Sequence, residues 1–417
     1  FKDDTAFLEK DKPGGTFQPI SYAKVKDDVD ALGTKLMDMG LKGSKIAVVG
    51  ETSYHWFLTY FATVCGVGVI VPLDKNLPQD ELKSLIERSH AKAIVFSKRM
   101  EKTIKPLYDE PGEIEYFISM SESENDKVLS LEHLIEEGNK LLGEGVRDFV
   151  DAEINPEEMA SLLFTSGTTG KSKGVMLSHK NIASNVVNVS KRVTLDKGCV
   201  VLSILPVHHT YENTIDWVTI YQGRTIAVCE GIKYILKNMN EVKANCMVGV
   251  PLVFEKIFKG LMKQAEGRGE GEKVRNAIAL SRRLKLYNNR SLIRKLFKPV
   301  HQAFGGGMQL FIAGGAAMDP EITESFEAMG IPMIQGYGMT EYAPIIAVNQ
   351  DNYSIARSVG RPMPEAKVRI DNADENGIGE IVVKGPSVML VYYEDQDATD
   401  EVIEDGWLHT GDLGYLD

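Results

Sequence analysis

Short runs of β-branched and other apolar residues alternate with amphipathic stretches over the first hundred residues. Apolar residues at helical spacing predict a helix over residues 21–40, and residues 53–65 are also predicted to be helical. The runs SKIAVVGE, VGVIVPLD and AKAIVFSK predict buried strands, and PQDELK before the third run opens a further helix. Strands that alternate with helices are typical of a parallel sheet covered by helices. The opening part of the chain is therefore predicted to be α/β.

The same pattern resumes near residue 160. LLFTSGTTG predicts a strand and then a loop, a helix follows over residues 178–193, and VVLSILPVHH and RTIAVCEG predict further strands. A strand before the loop and a helix after it would place the loop near a helix N-terminus. From about residue 350 the runs are short, β-like and cut by Gly and Pro. We predict three units, 1–150, 151–345 and 346–417, with approximate boundaries because the chain can cross between the first two.

Residues 255–300 form a helical stretch that is rich in Lys and Arg. A solvated helical face is the ordinary interpretation of such a charge run. Contact with a membrane surface or with an acidic partner is the alternative.

Composition and charge narrow the class of protein. A chain of 417 residues is longer than one ordinary hydrophobic core accommodates. Its composition, with 43% hydrophobic and 25% charged residues, is typical of a globular protein. The net charge of −12 argues against nucleic acid as a partner. Four cysteines without a CxxC pair, and no visible secretory signal, indicate a reducing, cytoplasmic location, with membrane association as an alternative. The apolar stretch at residues 57–73 is interrupted and too short to predict a membrane span.

The loop LLFTSGTTGKSKG at residues 162–174 has the composition of a phosphate site. Glycines let backbone N–H groups converge, hydroxyls add donors and lysine adds a mobile positive charge. Gly170, Lys171 and Ser172 match the end of a Walker A motif, but its first glycine would fall at Thr165. A P-loop kinase or GTPase is therefore disfavoured, and a Gly/Thr-rich surface loop remains the alternative for this stretch alone.

Three more stretches accompany this loop: LPVHHTYE (205–212), GYGMTE (336–341) and DGWLHTGDLG (405–414). Together, in this order, they resemble the adenylate-forming enzymes, which include acyl-CoA synthetases, luciferases and peptide-synthetase adenylation domains. The resemblance covers nearly the whole chain. It implies an α/β fold with two doubly wound αβαβα subdomains and a small β-barrel-like subdomain. In the family a hinge and a mobile C-terminal domain with a catalytic lysine follow, so we expect this chain to be the large N-terminal domain, binding ATP but adenylating poorly.

The resemblance also implies roles for individual residues. The catalytic set would be Thr165, Lys173, His209 and Glu341, with Mg²⁺ held by Thr165 and Glu341. Ser172 stands where the family usually has Pro. His209, Tyr211 and Gly315 would contact the acyl substrate, and His208 is the weaker candidate of the histidine pair. The ATP site would comprise Thr165, Ser166, Gly167, Thr168, Thr169, Lys173, Gly314, Gly315, Ala316, Gln335, Gly336, Tyr337, Gly338, Met339, Thr340 and Asp412. Tyr337 would stack on adenine and Asp412 would bind the ribose hydroxyls.

The function that the resemblance implies is activation of a carboxylic acid by ATP. The acid would form an acyl-adenylate with release of pyrophosphate, and the acyl group would then pass to CoA. The long basic insertion at 255–300 and LPVHHTYE resemble long-chain acyl-CoA synthetases, so we expect a medium- or long-chain fatty acid. Two alternatives stay open: a ligase that passes the acyl group to a carrier protein, and a non-catalytic scaffold that binds nucleotide or acyl groups.

Overall fold

A computed structural model describes residues 1–165, 172–350 and 355–417. The strands are β1 (Thr5–Lys10), β2 (Phe17–Ser21), β3 (Ser44–Val49), β4 (Gly68–Leu73), β5 (Ala91–Phe96), β6 (Tyr116–Ser119), β7 (Val128–Ser130), β8 (Met159–Thr165), β9 (Lys173–Ser178), β10 (Val200–Ser203), β11 (Thr225–Val228), β12 (Cys246–Gly249), β13 (Leu310–Ala313), β14 (Met333–Gly338), β15 (Ile345–Val348), β16 (Arg361–Pro362), β17 (Lys367–Asp371), β18 (Gly379–Lys384), β19 (Ile403–Glu404) and β20 (Trp407–Gly414). The α-helices are α1 (Tyr22–Asp38), α2 (Tyr54–Ala62), α3 (Gln79–Ser89), α4 (Glu101–Ile104), α5 (Leu131–Gly143), α6 (His179–Ser190), α7 (Thr210–Tyr221), α8 (Ile235–Val242), α9 (Pro251–Gly267), α10 (Gly271–Leu284), α11 (Arg290–Leu296), α12 (Lys298–Ala303), α13 (Pro320–Ala328) and α14 (Gln396–Val402). Shorter 3₁₀ or π-helical turns lie at Thr63–Val67, Lys98–Met100, Lys105–Tyr108, Ile232–Tyr234, Leu286–Asn288 and Thr340–Tyr342.

The first sheet has the strand order β7-β6-β5-β3-β4-β8-β9 among the described residues. Its strands are parallel except for β9, which pairs antiparallel with β8. The register places Val48 opposite Val95, so the apolar runs of neighbouring strands share the buried faces. The three strands and the helices predicted in the opening part of the chain are confirmed.

The second sheet has the order β16-β15-β14-β13-β12-β10-β11-β1-β2 within the described part of the chain. The strands from β14 to β1 are parallel, and antiparallel strands form both edges. The edge strand β2 and its neighbour β1 come from the start of the chain, and Phe7 of β1 pairs with Ile226 of β11. The predicted helical stretch at 255–300 is also confirmed, as α9 to α12, on one side of this sheet.

The third sheet is small and antiparallel, with the order β17-β18-β20-β19 among the residues described. The chain leaves it at residues 390–393 to pair with β9 of the first sheet, where the Tyr393 N–H donates to the Gly174 carbonyl at 2.6 Å. Since β1 pairs with β11 and β8 pairs with β4 across the boundary drawn at residue 150, the chain interleaves the two large sheets. The three-unit division itself remains a prediction.

A strand that the sequence pattern did not predict lies between the Gly/Ser/Thr loop and the predicted helix. The loop lies between β8 and β9, and α6 begins only after β9, with Ser178 as its N-cap. The helix predicted over 178–193 is present, but strand pairing, not a helix N-terminus, flanks the loop on its C-terminal side.

Aromatic side chains hold the two large sheets together. Trp217 of α7, over the second sheet, packs against Phe57, Tyr60 and Phe61 of α2, over the first, with ring centroids 5.7, 4.7 and 4.6 Å apart. Trp217 is 7% exposed, and residues from both sheets share one continuous apolar core around it. None of the described helices combines the length and the hydropathy needed to cross a membrane.

Candidate functional site

The carboxyl ends of β10, β13 and β14 lie along one edge of the second sheet, because these strands are parallel. The loops that follow them carry His209, Gly314 and the GYGMTE turn. Ligand sites of open α/β sheets form at such an edge. The hydroxyl oxygens of Thr210 and Thr340 are 3.4 Å apart, so the loops after β10 and β14 meet.

Glycine allows the loop after β13 to pass close to α7. A Cβ on Gly314 would lie 2.7 Å from Cζ of Tyr211, whose hydroxyl donates to the Ile312 carbonyl at 3.3 Å. Gly315 follows with φ +79°, in the left-handed region that favours glycine, and both Gly315 and Ala316 are exposed. The predicted acyl and nucleotide residues Tyr211, Gly314 and Gly315 therefore lie side by side.

The GYGMTE turn is held by backbone pairing on both sides. Gly336 and Tyr337 pair with β15, and the Met339 N–H donates to the Pro344 carbonyl at 3.0 Å. Gln335, directly before the turn, is buried and donates through its side chain to the Ala356 carbonyl at 2.8 Å. These bonds fix the backbone that presents Thr340 and Glu341.

Lys173, Tyr392 and Glu341 form one contact group, which we call the Lys–Tyr–Glu cluster. The Tyr392 hydroxyl donates to Oε1 of Glu341 at 2.8 Å, and Nζ of Lys173 lies 4.8 Å from the centroid of the Tyr392 ring. Glu341 is only 9% exposed. Burial and the neighbouring Glu341 carboxylate raise the pKa of Tyr392. The phenol therefore stays protonated and donates to Glu341.

The phosphate loop enters and leaves beside this cluster. Thr165 ends β8 and stands opposite Lys173 at the start of β9, which places both predicted residues at the neck of the loop. The predicted ligands Ser166, Gly167, Thr168 and Thr169 lie outside the described residues.

The structure pairs Tyr337 with Asp412, which come from different sheets. The Tyr337 hydroxyl donates to Oδ2 of Asp412 at 2.8 Å, and burial raises the pKa of that hydroxyl. The residues predicted to contact adenine and ribose are thus adjacent, and β20 of the small sheet reaches the end of β14.

The two histidines after β10 differ in environment. His209 is exposed and is the N-cap residue of α7, whereas the His208 side chain is 9% exposed and lies 3.7 Å from Asp74, after β4 of the first sheet. Burial and the adjacent His209 lower the pKa of His208 to about 4, so His208 is neutral near pH 7. The ring centroids are 4.2 Å apart. Of the pair, His209 is the one that a ligand can reach.

Two buried carboxyl groups stand below the histidines on α7. Glu212 and Asp216 are each 1% exposed and lie four residues apart, on one helix face. Glu212 accepts from the Ile204 N–H at 2.9 Å, and Ser203 Oγ donates to Asp216 at 3.5 Å. Burial raises the pKa of Glu212 to about 8, and burial beside Glu212 raises that of Asp216. The pair ties α7 to the end of β10.

Sequence reasoning missed Tyr392 and a stripe of asparagines on α6. Asn181, Asn185 and Asn188 are buried at spacings of four and three residues. Asn185 donates to the Tyr342 and Ile345 carbonyls at 3.2 and 3.0 Å, directly after the GYGMTE turn. In SHKNIASNVVNV the asparagines recur at the spacing of a helix face that packs against the core, so the sequence alone could have indicated that they are buried. The signal for Tyr392 was weaker: two tyrosines that end the run GEIVVKGPSVMLVYY.

The residues present fit a Mg²⁺ ion. The Glu341 carboxylate accepts from the Tyr392 hydroxyl within the cluster, and Thr165, which carries a hydroxyl, pairs with Lys173 at the neck of the loop. Mg²⁺ prefers oxygen ligands and commonly takes only one or two from the protein, the rest coming from water and phosphates. The two residues remain the predicted ligands.

The two large sheets meet at one edge, where polar residues from all three sheets converge, and ligand sites of open α/β sheets form at such an edge. The chain belongs to the AMP-binding enzyme family, whose model matches residues 1–393. Long chain acyl-CoA synthetase 6, peroxisomal, of Arabidopsis thaliana is 28% identical over 428 residues, covering 96% of this chain and 60% of the relative. A long-chain-fatty-acid–[acyl-carrier-protein] ligase of the same plant, AEE15, chloroplastic, is 24% identical and covers 95% and 63%. The chain thus spans about three fifths of the length of these relatives.

Solved structures share the fold. The long-chain-fatty-acid-CoA ligase FadD1 from Archaeoglobus fulgidus superposes with a TM-score of 0.78 at 20% identity, covering 100% of this chain and 80% of that one. The N-terminal domain of FACL13 from Mycobacterium tuberculosis gives 0.76 at 18% identity, covering 99% and 93%. The predicted fold class, that of the N-terminal domain of adenylate-forming enzymes, is confirmed.

Proposed function

We propose that this chain carries the ATP and acid sites of an enzyme that activates a medium- or long-chain fatty acid as its acyl-adenylate and then forms the CoA thioester. The observation that carries the proposal is the Lys–Tyr–Glu cluster at the neck of the phosphate loop. It brings a cation, a hydroxyl donor and a carboxylate together where the phosphates of ATP would lie. Membership of the AMP-binding family supports ATP as the nucleotide.

In the proposed first step, a carboxylate oxygen of the fatty acid attacks the α-phosphorus of ATP. The bond from that phosphorus to the bridging oxygen breaks, and pyrophosphate leaves with the electron pair. Negative charge grows on the phosphate oxygens, and the Lys173 ammonium, which lies over the Tyr392 ring and forms no ion pair with the described residues, can follow it. Bound Mg²⁺, held by Glu341 and Thr165, would neutralise phosphate charge. In the second step the CoA thiolate attacks the acyl carbon, and AMP leaves.

Lys173→Ala tests the nucleotide part of the proposal. We expect ATP affinity, measured by isothermal titration calorimetry with Mg²⁺ present, to fall by about 10- to 150-fold, since a charge-assisted contact contributes about 1.5–3 kcal/mol. Lys180→Ala is the matched control, because Lys180 is exposed on α6 and pairs with Glu157 at 2.6 Å. Equal ATP affinity in all three proteins would contradict the proposal.

Pyrophosphate exchange with a panel of acids tests the substrate class. We expect long-chain fatty acids to drive exchange of labelled pyrophosphate into ATP faster than benzoate does. Faster exchange with benzoate would contradict the fatty-acid assignment. The exchange is measured in the full-length protein, because we expect the present chain alone to adenylate poorly, and ATP binding there with no exchange for any acid would favour a scaffold.

An acyl-carrier protein is the second candidate acceptor, favoured by the relative named as an acyl-carrier-protein ligase. It shares the adenylation step and differs only in the thiol. Thioester formation with CoA and with holo acyl-carrier protein, compared in parallel with one fatty acid, separates the two. A cytoplasmic location remains a prediction.

A further inference from the structure

The helical segment 251–300 has a charge opposite to that of the whole chain. It contains thirteen Lys and Arg residues against four Asp and Glu, a net charge of +9, whereas the chain carries −12. Concentrating cations on one segment creates a positive field on an otherwise acidic protein. That asymmetry has no role in the adenylation site described above.

Most of these cations face solvent without an acidic partner. Ion pairs in the segment join Lys259 to Glu255, Arg275 to Glu266 and Arg282 to Glu324. Other side chains are exposed and form no ion pair within the described part of the chain, among them Lys256, Lys263, Arg283, Lys285, Lys295 and Lys298. Their charge is therefore available to an external anion.

Exposed leucines lie among these cations. Leu280 and Leu284 on α10 are 43% and 55% exposed, and Leu292 and Leu296 on α11 are both 46% exposed. Each pair is spaced by four residues, so its members share one face of their helix. Single exposed leucines are ordinary, so the distinguishing feature of these four is their pairing on two successive helices.

The two helices that carry the leucine pairs border one groove. A groove of about 550 Å³ lies between α9, α10 and the α11–α12 pair, and Lys273, Ala277 and Leu296 line it. Lys273 and Ala277 belong to the same stripe of α10 as Leu280 and Leu284, at successive spacings of four, three and four residues. The groove and the leucines thus form one surface, which we call the basic leucine face.

We propose that the basic leucine face docks on the anionic surface of a lipid bilayer. Leucines would enter the boundary between headgroups and acyl chains, and Lys and Arg would meet anionic headgroups, the arrangement of interfacial helices. Charge complementarity favours this occupant. A second copy of the chain would bring another strongly positive face against the first, and like charges repel. An acidic peptide would match the cations but not the four leucines.

Vesicle co-sedimentation with the 417-residue chain tests the proposal and requires no turnover, so its result is independent of the proposed function. Vesicles of phosphatidylcholine alone are compared with vesicles that also contain phosphatidylglycerol. We expect binding to the anionic vesicles to exceed binding to the neutral ones by about tenfold or more. It should weaken as salt rises from about 0.1 M to about 1 M, which shortens the screening length from about 10 Å to about 3 Å.

Two variants separate the charge from the apolar contribution. Arg283→Glu with Lys285→Glu and Lys295→Glu should lower binding to anionic vesicles by about tenfold or more. Its matched control is Lys42→Glu with Lys102→Glu and Lys140→Glu, three exposed lysines elsewhere. Leu280→Ser with Leu284→Ser should also weaken binding, whereas the control Leu236→Ser with Ile378→Ser, changing side chains 43% and 40% exposed, should not.

Unchanged melting temperatures will show that the variants fold. Equal binding of the wild-type chain to both vesicle types would overturn the proposal, and so would equal loss in test and control variants. Lipid-free dimerisation abolished by Leu280→Ser with Leu284→Ser, without vesicle binding, would assign the face to self-association and also overturn it.

Discussion

Glu341 is nearly buried, and the Tyr392 hydroxyl supplies one of its hydrogen bonds. A buried carboxylate is costly unless donors replace the water that it loses. Tyr392 also lies beneath the Lys173 ammonium, so one aromatic side chain contacts both predicted ends of the phosphate site. The position of Glu341 therefore depends on a residue 51 positions away.

Tyr392→Phe removes the hydroxyl and keeps the ring. We expect the free energy of unfolding to fall by about 1.5–3 kcal/mol, the usual value for a hydrogen bond to a charged group. Mg²⁺-dependent ATP affinity should also fall, because Glu341 loses the donor that orients it. Urea unfolding and calorimetry measure the two effects. The neighbouring Tyr393→Phe is the control, and equal losses in both variants would contradict the role given to Tyr392.

The buried pair Glu212 and Asp216 makes stability depend on pH. A carboxyl group whose pKa is raised in the folded state keeps its proton where the unfolded chain releases one. Stability is then greatest below the unfolded pKa, near 4.5, and falls as pH rises towards the folded value of about 8 for Glu212. The slope is up to about 1.4 kcal/mol for each pH unit and each carboxyl group.

Glu212→Gln should reduce this slope, because the amide does not titrate. The melting temperature, measured from pH about 5 to about 8, should fall with pH in the wild-type chain and fall less in the variant. Glu401→Gln changes an exposed carboxylate of α14 and should keep the wild-type slope. A slope that Glu212→Gln leaves unchanged would show that the carboxyl group is not protonated in the folded protein.

The hairpin of β14 and β15 contains two glycines with different surroundings. A Cβ on Gly338 would lie 1.9 Å from the Pro344 carbonyl oxygen. This is a backbone atom, so no side-chain rotation can relieve the overlap. A Cβ on Gly336 would meet nothing closer than the Ala347 carbonyl oxygen at 3.5 Å, an ordinary contact. The second glycine of the GYG turn is therefore the one that the hairpin geometry requires.

Gly338→Ala should destabilise the protein by about 3 kcal/mol or more, because the new methyl group overlaps the facing strand. Gly336→Ala should cost less than about 1 kcal/mol. Chemical unfolding of the two variants gives the comparison. Equal destabilisation would mean that the GYG turn is limited by something other than this close approach.

Elements with a local pattern could be predicted, and those set by distant contacts could not. SKIAVVGE, AKAIVFSK and the asparagine-bearing helix after residue 178 carry their own periodicity. The strand β9 was missed because KGVMLS is short and directly precedes a helix cap, and its pairing partners include residues 390–393. For the same reason the sequence motifs indicated Lys173 and Glu341 separately, but they did not indicate Tyr392, whose side chain contacts both. Motif resemblance, rather than periodicity, supplied the candidate site residues.

Trp217 connects the two large sheets through three aromatic rings of α2. The predicted site lies where these sheets meet, since β4 contributes Asp74 and β10 leads to His208. A shift of one sheet against the other would therefore change both the core and the site.

Trp217→Ala should lower the free energy of unfolding by about 3–5 kcal/mol, the usual cost of removing a large buried aromatic side chain. Trp407→Ala, on the half-buried face of the small sheet, should cost less, although it also loses its contact with the Arg369 guanidinium at 4.2 Å. Melting curves give the ranking. A larger destabilisation by Trp407→Ala than by Trp217→Ala would mean that the interface of the large sheets contributes less to stability than we infer.

The edge position of β1 and β2 in the second sheet has a consequence for biosynthesis. Thr5 receives its hydrogen bond from Thr225, 220 residues later in the chain. At ordinary translation rates those residues take roughly 10 to 40 s to emerge from the ribosome. The N-terminal hairpin must wait for that time with its pairing edge and its apolar residues, Phe7 among them, uncovered. The nascent chain is thus most exposed to mispairing and to capture by chaperones before β11 is made.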